Sequence, residues 1–129
     1  MNNQAANVVR MWDKGSLEYC EPTLKQTAHR LAQQLLKKFA IDCLGLQLSD
    51  FDVRSNMGGI AVSGEVTLHT DKVYIQISQS SLGHTIMWRT CTGRKDYTGG
   101  HNRWGNVTEL LSTPANRKEF ASKVQQACG

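Results

Sequence analysis

The stretch WRTCTGRKDYTGGHNRWG, residues 88–105, combines positive charge, aromatic rings and glycine within one short segment. Guanidinium groups bind phosphate oxygens and also stack on flat rings, and aromatic side chains provide faces on which unpaired bases stack. The combination predicts a binding surface for nucleic acid or a nucleotide. The residues expected to form this surface are Arg89, Arg94, Lys95, Tyr97, Gly99, Gly100, His101, Arg103 and Trp104.

Residues 92–106 show no hydrophobic period and are long for a connection inside a small domain, and long loops often have a functional role. Gly99-Gly100 permits backbone conformations that are closed to other residues, so the chain can approach a ligand closely. The phosphate-binding patterns GxxxxGK[ST] and GxGxxG do not occur. The loop is therefore predicted to bind an acidic partner without a standard nucleotide motif. Tyr97 and Trp104 have a second interpretation, as partly buried anchors that order the loop.

The positive charge of the chain is concentrated in two blocks. Residues 24–38 contain four cations and no acid, and residues 89–103 contain four cations and one acid. Because the whole chain has a net charge of +4, the remaining residues are acidic on balance. Such segregation favours an acidic partner. The cations of the first block, expected to form a second basic face, are Lys25, Arg30, Lys37 and Lys38. The alternative for Lys37 and Lys38 is stabilisation of the dipole at a helix C-terminus.

Thiol chemistry is the alternative that the same loop allows. Cys91 and His101 border the loop, and Asp96 could orient the histidine, which gives the three groups that an activated nucleophile requires. No sequence signature of a thiol enzyme surrounds Cys91. We therefore expect a non-catalytic protein, with a small Cys/His enzyme as an alternative.

The four cysteines are expected to be free thiols. Cys20, Cys43, Cys91 and Cys128 form no CxxC or CxxH pattern, so the sequence predicts neither a metal site nor a cofactor. Residues 1–16 lack the basic and apolar segments of an export signal. No apolar run is long enough to span a membrane. The sequence therefore predicts a cytoplasmic chain without disulfides or membrane contact.

The other ionisable residues suggest no catalytic arrangement. Asp50 and Asp52 share one side of a possible strand and are interpreted as a polar strand end, although paired carboxylates can serve acid–base chemistry. His29 is expected on the exposed side of a helix, His69 at a hairpin turn and His84 at the start of a strand. None of the three histidines has a partner nearby in the sequence.

Helices are predicted near both ends of the chain. Apolar residues recur at spacings of three and four from Leu24 to Phe39, so an amphipathic helix is predicted there, with Pro22 in its first turn. A short helix is predicted at Val107–Leu111 and a longer one from Pro114 to about Cys128. Residues 1–20 have no sustained period. They are expected to form a partly ordered arm that docks through Val8, Val9, Met11 and Trp12.

Four strands are predicted between the helices. Apolar and polar residues alternate from Leu46, then through a hairpin of residues 59–78 and a strand at residues 84–91. Short turns between strands favour an antiparallel meander, and one apolar face of such a sheet must be covered. The expected fold is α+β: a four-stranded antiparallel meander sheet with an N-terminal and a C-terminal helix on one face, within a single domain of residues 21–129.

Three functions are compatible with these residues. The first is a non-catalytic binding module that engages an acidic partner, with nucleic acid as the leading partner, through the loop of residues 89–104. The second is a small inhibitor or adaptor of a protein partner, of the kind that viruses and mobile elements encode, in which Trp and Arg side chains would be interface hot spots. The third is the Cys/His enzyme. A homodimer is left open, because the arm and the edge strands could both support one.

Overall fold

The computed structural model describes residues 2–79, 83–94 and 100–128. Two helices, α1 (Asn2–Asp13) and α2 (Pro22–Asp42), precede five strands, and two further helices, α3 (Val107–Leu111) and α4 (Pro114–Cys128), follow them. The strands are β1 (Phe51–Asn56), β2 (Glu65–Thr70), β3 (Val73–Ile77), β4 (Ile86–Thr90) and β5 (Arg103–Gly105). The α+β fold is therefore confirmed.

The strands form one antiparallel sheet in the order β1-β2-β3-β4-β5, so the predicted meander is also confirmed. One face of the sheet is apolar and buried, as Leu68, Ile75 and Trp88 lie in neighbouring strands and face the helices. The alternate residues of the same strands, such as Tyr74 and Gln76, lie on the opposite face and are only partly buried. We call this opposite side the open face.

The sheet contains five strands where four were predicted. The additional strand, β5, lies inside the segment interpreted as a loop and pairs with β4 through Met87 opposite Trp104. Its three residues are too few to produce a recognisable alternation of apolar and polar positions. The hairpin predicted for residues 59–78 is shorter than expected, because β2 begins only at Glu65 and residues 57–64 form a loop.

The N-terminal segment, predicted to be a partly ordered arm, contains the helix α1. Val9 and Trp12 are buried in the core and Met11 packs against it, whereas the side chain of Val8 lies outside the described residues. Asp13, the last residue of α1, accepts hydrogen bonds from the hydroxyl of Thr85 before β4 and from the backbone and hydroxyl of Thr108 in α3. One carboxylate thus joins three parts of the fold.

Aromatic packing fixes α2 and α4 over the sheet. Phe39 of α2 stacks on Phe120 of α4 with ring centroids 5.2 Å apart, and Phe120 meets Trp88 of β4 edge to face at 5.5 Å. Such pairs contribute about 0.5–1.5 kcal/mol beyond the burial of their area. Within the described ranges, no helix is long and apolar enough to cross a membrane.

Two polar residues of α2 were expected to be exposed and are buried. Lys25 donates hydrogen bonds from Nζ to the carbonyl oxygens of Gly59 at 2.9 Å and Val62 at 2.5 Å. The ring of His29 bridges the Ser55 hydroxyl at 2.6 Å and the Ser63 carbonyl at 2.7 Å. The loop of residues 57–64 folds over this side of the helix, which periodicity along α2 could not indicate.

Candidate nucleic-acid interface

Strand β5 separates the residues of the predicted binding loop onto two sides of the sheet. Side chains alternate along a strand, so Arg103 points to the helix side and Trp104 to the open face. Lys95, Tyr97, Gly99 and Asp96 lie outside the described residues.

Arg89 of β4 binds the C-terminal part of the loop, at Gly100 and Asn102. Its Nη2 donates to the carbonyl oxygen of Gly100 at 3.0 Å, and its Nη1 lies 3.3 Å from Oδ1 of Asn102. On the open face Arg89 is directly opposite Tyr74 of β3. The guanidinium group of Arg89 was expected to bind a ligand. In the structure it binds the loop instead.

Arg94 is engaged at the other end of the sheet. Its Nη2 donates to the carbonyl oxygen of Ser49 at 2.8 Å, and its charge is paired with Asp71 at 3.3 Å and Asp52 at 3.8 Å. Ion pairs this exposed contribute at most about 1 kcal/mol to stability. They do neutralise the charge that an acidic partner would require.

Gly100 lies so close to β4 that no side chain fits there. A Cβ atom on Gly100 would lie 2.8 Å from Oγ1 of Thr90, so the glycine permits close packing of two backbone segments. His101, the next residue, is exposed. The glycine pair was predicted to approach a ligand, and the described member of the pair approaches the neighbouring strand.

Trp104 offers the one large aromatic surface of this region among the described residues. Half of its surface (50%) is exposed, and its indole lies against the ring of His84, with centroids 6.0 Å apart and an angle of 30° between the planes. Because no described strand pairs with the outer side of β5, the indole stands at the edge of the sheet. An exposed ring in this position can stack on another flat group.

Arg103 enters a cleft between β5 and α4, which we call the β5 cleft. The cleft has a volume of about 410 Å³, and its lining residues are Trp88, Arg103, Lys123, Gln126 and Ala127. The guanidinium carbon of Arg103 lies 4.8 Å from the centroid of the Trp88 ring. Its Nη1 is buried and has no hydrogen-bond partner among the described residues.

Positive charge dominates the β5 cleft. Arg103 and Lys123 both line the cleft, and neither forms an ion pair within the described part of the chain. Lys72 lies at the C-terminal end of α4, where its carbonyl accepts a hydrogen bond from the Cys128 thiol at 3.7 Å. Burial raises the pKa of Cys128, and the charges of Lys72 and Arg103 oppose this increase.

Charges of both signs meet where α2 ends and α4 begins. Burial raises the pKa of Cys43, the residue that follows α2; the charges of Arg117 and Lys118 in α4 oppose this effect, and that of Asp42 adds to it. Arg117 also donates to the carbonyl oxygen of Leu111 at 2.6 Å.

The second basic face predicted for α2 forms only in part. Lys25 is buried, whereas Arg30, Lys37 and Lys38 are exposed.

The open face, in contrast, carries nearly balanced charge. Among the residues that the structure describes, three cations and three acids lie on it or at its margin: Arg54, Arg89, Arg94, Asp52, Glu65 and Asp71. A surface with balanced charge attracts a polyanion weakly, because phosphate binding depends on the number of cations that neutralise the backbone. The β5 cleft is better suited to phosphate groups.

Two cations that the sequence analysis did not single out are Lys123, which lines the cleft, and Lys72, which lies at the C-terminal end of α4. The run RKEFASK, residues 117–123, contains three cations and one acid, and its charge could have marked α4 as a basic element. Lys72 is isolated in a β-turn, so nothing in its neighbourhood indicates that it lies at the end of α4.

Cys91 contacts His69, which is not the partner that the sequence predicted for it. The Cys91 Sγ atom is 3.6 Å from Nε2 of His69 and 3.5 Å from the carbonyl oxygen of Thr70, and the same Nε2 is 3.2 Å from the carbonyl oxygen of Gly93. A carbonyl oxygen only accepts hydrogen bonds, so Nε2 carries a proton and donates to Gly93. The thiol in turn donates to Thr70.

In the described parts of the chain, no group of three His, Cys, Asp or Glu side chains is positioned to hold a metal ion. No protein-family model matches the chain, and neither a curated protein nor a solved structure shows significant similarity to it.

Proposed function

We propose that the protein binds single-stranded nucleic acid at the edge of the sheet formed by β5, with a base on Trp104 and phosphates in the β5 cleft. One observation carries the proposal. Arg103 and Lys123 converge at a single cleft, and neither cation forms an ion pair with a described residue. Anionic oxygens are the natural acceptors for two such charged donors.

The cleft favours phosphate in particular. Arg103 is held on the face of Trp88, so its planar fork of donors has a fixed direction and loses little conformational freedom on binding. Lys123 adds a second positive charge in the cleft, and Lys72 lies at the C-terminal end of α4. With about two phosphates neutralised by Arg103 and Lys123, the logarithm of the affinity would fall with the logarithm of the salt concentration with a slope of about −1.4.

Trp104 is the reason to propose a single strand and not a duplex. Its indole follows Arg103 directly in β5, and at an edge strand both faces of the sheet can be reached by one extended ligand. Bases in a duplex are already paired and stacked, whereas those of a single strand can stack on an exposed ring. Binding of this kind tolerates different sequences, because every base has a flat face.

The experiment is a fluorescence-anisotropy titration of labelled single-stranded and duplex oligonucleotides. Wild type is compared with Arg103→Gln/Lys123→Gln and with a charge-matched control, Lys14→Gln/Arg54→Gln, whose two cations are exposed and lie outside the cleft. We expect single-strand affinity to fall ~10-fold or more in the cleft variant, since a charge-assisted hydrogen bond contributes about 1.5–3 kcal/mol. The control should bind like wild type. Failure of wild type to bind any oligonucleotide at low salt would refute the proposal.

A further inference from the structure

Three large side chains project into solvent at the end of the molecule near the β1–β2 connection. Tyr19 is 72% exposed, Ile60 69% and Val62 49%. The backbone N–H of Tyr19 donates to the carbonyl oxygen of Ile60 at 2.8 Å, so the segments that carry these side chains are adjacent. We call Tyr19, Ile60 and Val62 the apolar patch.

The backbone beneath the apolar patch is fixed by a buried charge. The Nζ atom of Lys25 donates to the carbonyl oxygens of Gly59 and Val62, which flank Ile60. Burial of an ammonium group is costly unless it is hydrogen-bonded, so the pairing of Lys25 with the loop is strongly favoured. The apolar side chains are consequently presented on a backbone that needs little ordering when a partner binds.

Two further features hold the apolar patch in place. Gly64, the last residue of the loop of residues 57–64, has a φ of +77°. A Cβ atom there would lie 2.7 Å from Cε1 of His29, so this end of the loop packs tightly on α2. Tyr19 has a φ of 58° although it is not glycine. This conformation costs on the order of 1 kcal/mol and persists only where surrounding contacts impose it. The contacts that impose this backbone conformation therefore also hold the Tyr19 side chain in its exposed position.

Acidic groups border the apolar patch. Beside Val62 lies a depression of about 390 Å³ whose charged lining residues, among those described, are Glu18 and Glu65. Neither carboxylate forms a hydrogen bond or an ion pair with another described residue. Glu18 and Glu21 also flank Tyr19 in the chain and are exposed. An apolar surface with an acidic margin is complementary to an apolar surface with a basic margin.

We infer that the apolar patch and its acidic depression bind an amphipathic segment of a protein partner, with apolar side chains on the patch and Lys or Arg side chains beside Glu18 and Glu65. A second copy of this chain fits less well, because a two-fold contact would bring the glutamates of both copies together. Nucleic acid is repelled by the same carboxylates. The site is separate from the β5 cleft and does not depend on the function proposed for it.

The probe is a labelled synthetic amphipathic helix of Leu and Lys, titrated with the full-length protein by fluorescence anisotropy. The protein has a net charge of +4, so general electrostatic attraction does not favour this cationic peptide. We expect saturable binding that weakens ~10-fold or more in Tyr19→Ser/Ile60→Ser and also in Glu18→Gln/Glu65→Gln. A matched control, Leu48→Ser, removes an apolar side chain that is 65% exposed at another site and should leave the affinity unchanged.

Specificity and folding are checked in the same series. A helix in which Glu replaces every Lys should show no binding that depends on Tyr19 and Ile60. Circular dichroism should show that the patch variants remain folded, since their substitutions are on the surface. Absence of wild-type binding, or equal affinity for all the variants, would overturn the inference. Oligonucleotide binding should be unchanged in Tyr19→Ser/Ile60→Ser, so the failure of one proposal does not imply the failure of the other.

Discussion

The guanidinium group of Arg103 lies over the indole of Trp88, with 4.8 Å between the guanidinium carbon and the ring centroid. Trp88 is itself buried and meets Phe120 of α4 edge to face. An arginine held on a core aromatic residue is fixed in direction, and Arg103 lines the β5 cleft without an ion pair to any described residue. The same contact that stabilises the edge of the sheet thus prepares a donor for an anion.

Replacement of Trp104 by alanine should weaken single-strand binding by about 5- to 150-fold, because stacking on an aromatic side chain contributes about 1–3 kcal/mol per base. The affinity for duplex, whose bases are already stacked, should change little. Anisotropy titrations of both oligonucleotides measure the effect. Leu48→Ala is the control, as Leu48 is an exposed apolar side chain far from β5 in the chain. An unchanged single-strand affinity would remove Trp104 from the interface.

Replacement of Lys25 by methionine should lower the free energy of unfolding by about 1–3 kcal/mol, because the carbonyl groups of Gly59 and Val62 lose their donor. Urea denaturation followed by circular dichroism measures the change. Lys38→Met in the same helix is the control, since Lys38 is exposed and surface substitutions usually alter stability by less than about 0.5 kcal/mol. Equal stability of the two variants would mean that Lys25 does not hold the loop.

Stability should fall as the pH is lowered through the histidine range. Burial lowers the pKa of His29, the nearby charge of Lys25 lowers it further, and the hydrogen bond to Ser63 opposes both. The unfolded chain, with a histidine pKa of about 6.5, then binds more protons than the folded chain, so protonation favours unfolding. This contribution to stability is complete above pH ~6.5 and is lost as the pH falls toward the lowered value in the folded state.

Urea denaturation at about pH 7.5 and about pH 5.5 compares conditions on either side of the unfolded-state histidine pKa of about 6.5. The loss of unfolding free energy between the two conditions should be smaller in His29→Gln than in wild type. Burial lowers the pKa of His69 as well, so part of the pH dependence should remain in that variant. An identical pH dependence in the two proteins would show that His29 titrates as it does in the unfolded chain.

Cys91 should not be the fastest of the four cysteines to react with iodoacetamide at neutral pH. In the structure its thiol donates to Thr70, and Nε2 of the adjacent His69 donates to Gly93 and so cannot accept the thiol proton. Mass spectrometry of briefly alkylated protein, with the unfolded chain as reference, measures the rate at each position. Selective alkylation of Cys91, abolished in His69→Ala, would instead favour the thiol-enzyme alternative.

The fold could be predicted from the sequence wherever a long period was present. The apolar stripe of α2 contains Ala28, Ala32 and Phe39, all buried as expected, and alternation located the strands at the centre of the sheet. The three residues of β5 were missed, because so short a strand is recognised only by its pairing with β4. The burial of Lys25 and His29 depends on a loop that folds back over α2, and that tertiary contact has no local signal.

The candidate site was predicted only in part, for a related reason. A loop without secondary structure could direct all its cations to one surface, whereas a strand sends Arg103 and Trp104 to opposite faces. Arg94 meets acids from two other parts of the chain, Asp52 and Asp71, which distance in the sequence conceals. The β5 cleft likewise requires α4 to pack beside β5, so composition alone could not join Lys123 to Arg103.

The salt dependence of single-strand affinity is the most direct test of the proposed interface. Dissociation constants of wild type and of Arg103→Gln/Lys123→Gln would be measured between about 50 mM and about 200 mM salt. Each phosphate contact to a single strand contributes about 0.7 to the slope of log affinity against log salt, so the double variant should have a slope smaller by ~1.4. An equal slope in the two proteins would contradict the account, because the phosphates would then be bound elsewhere.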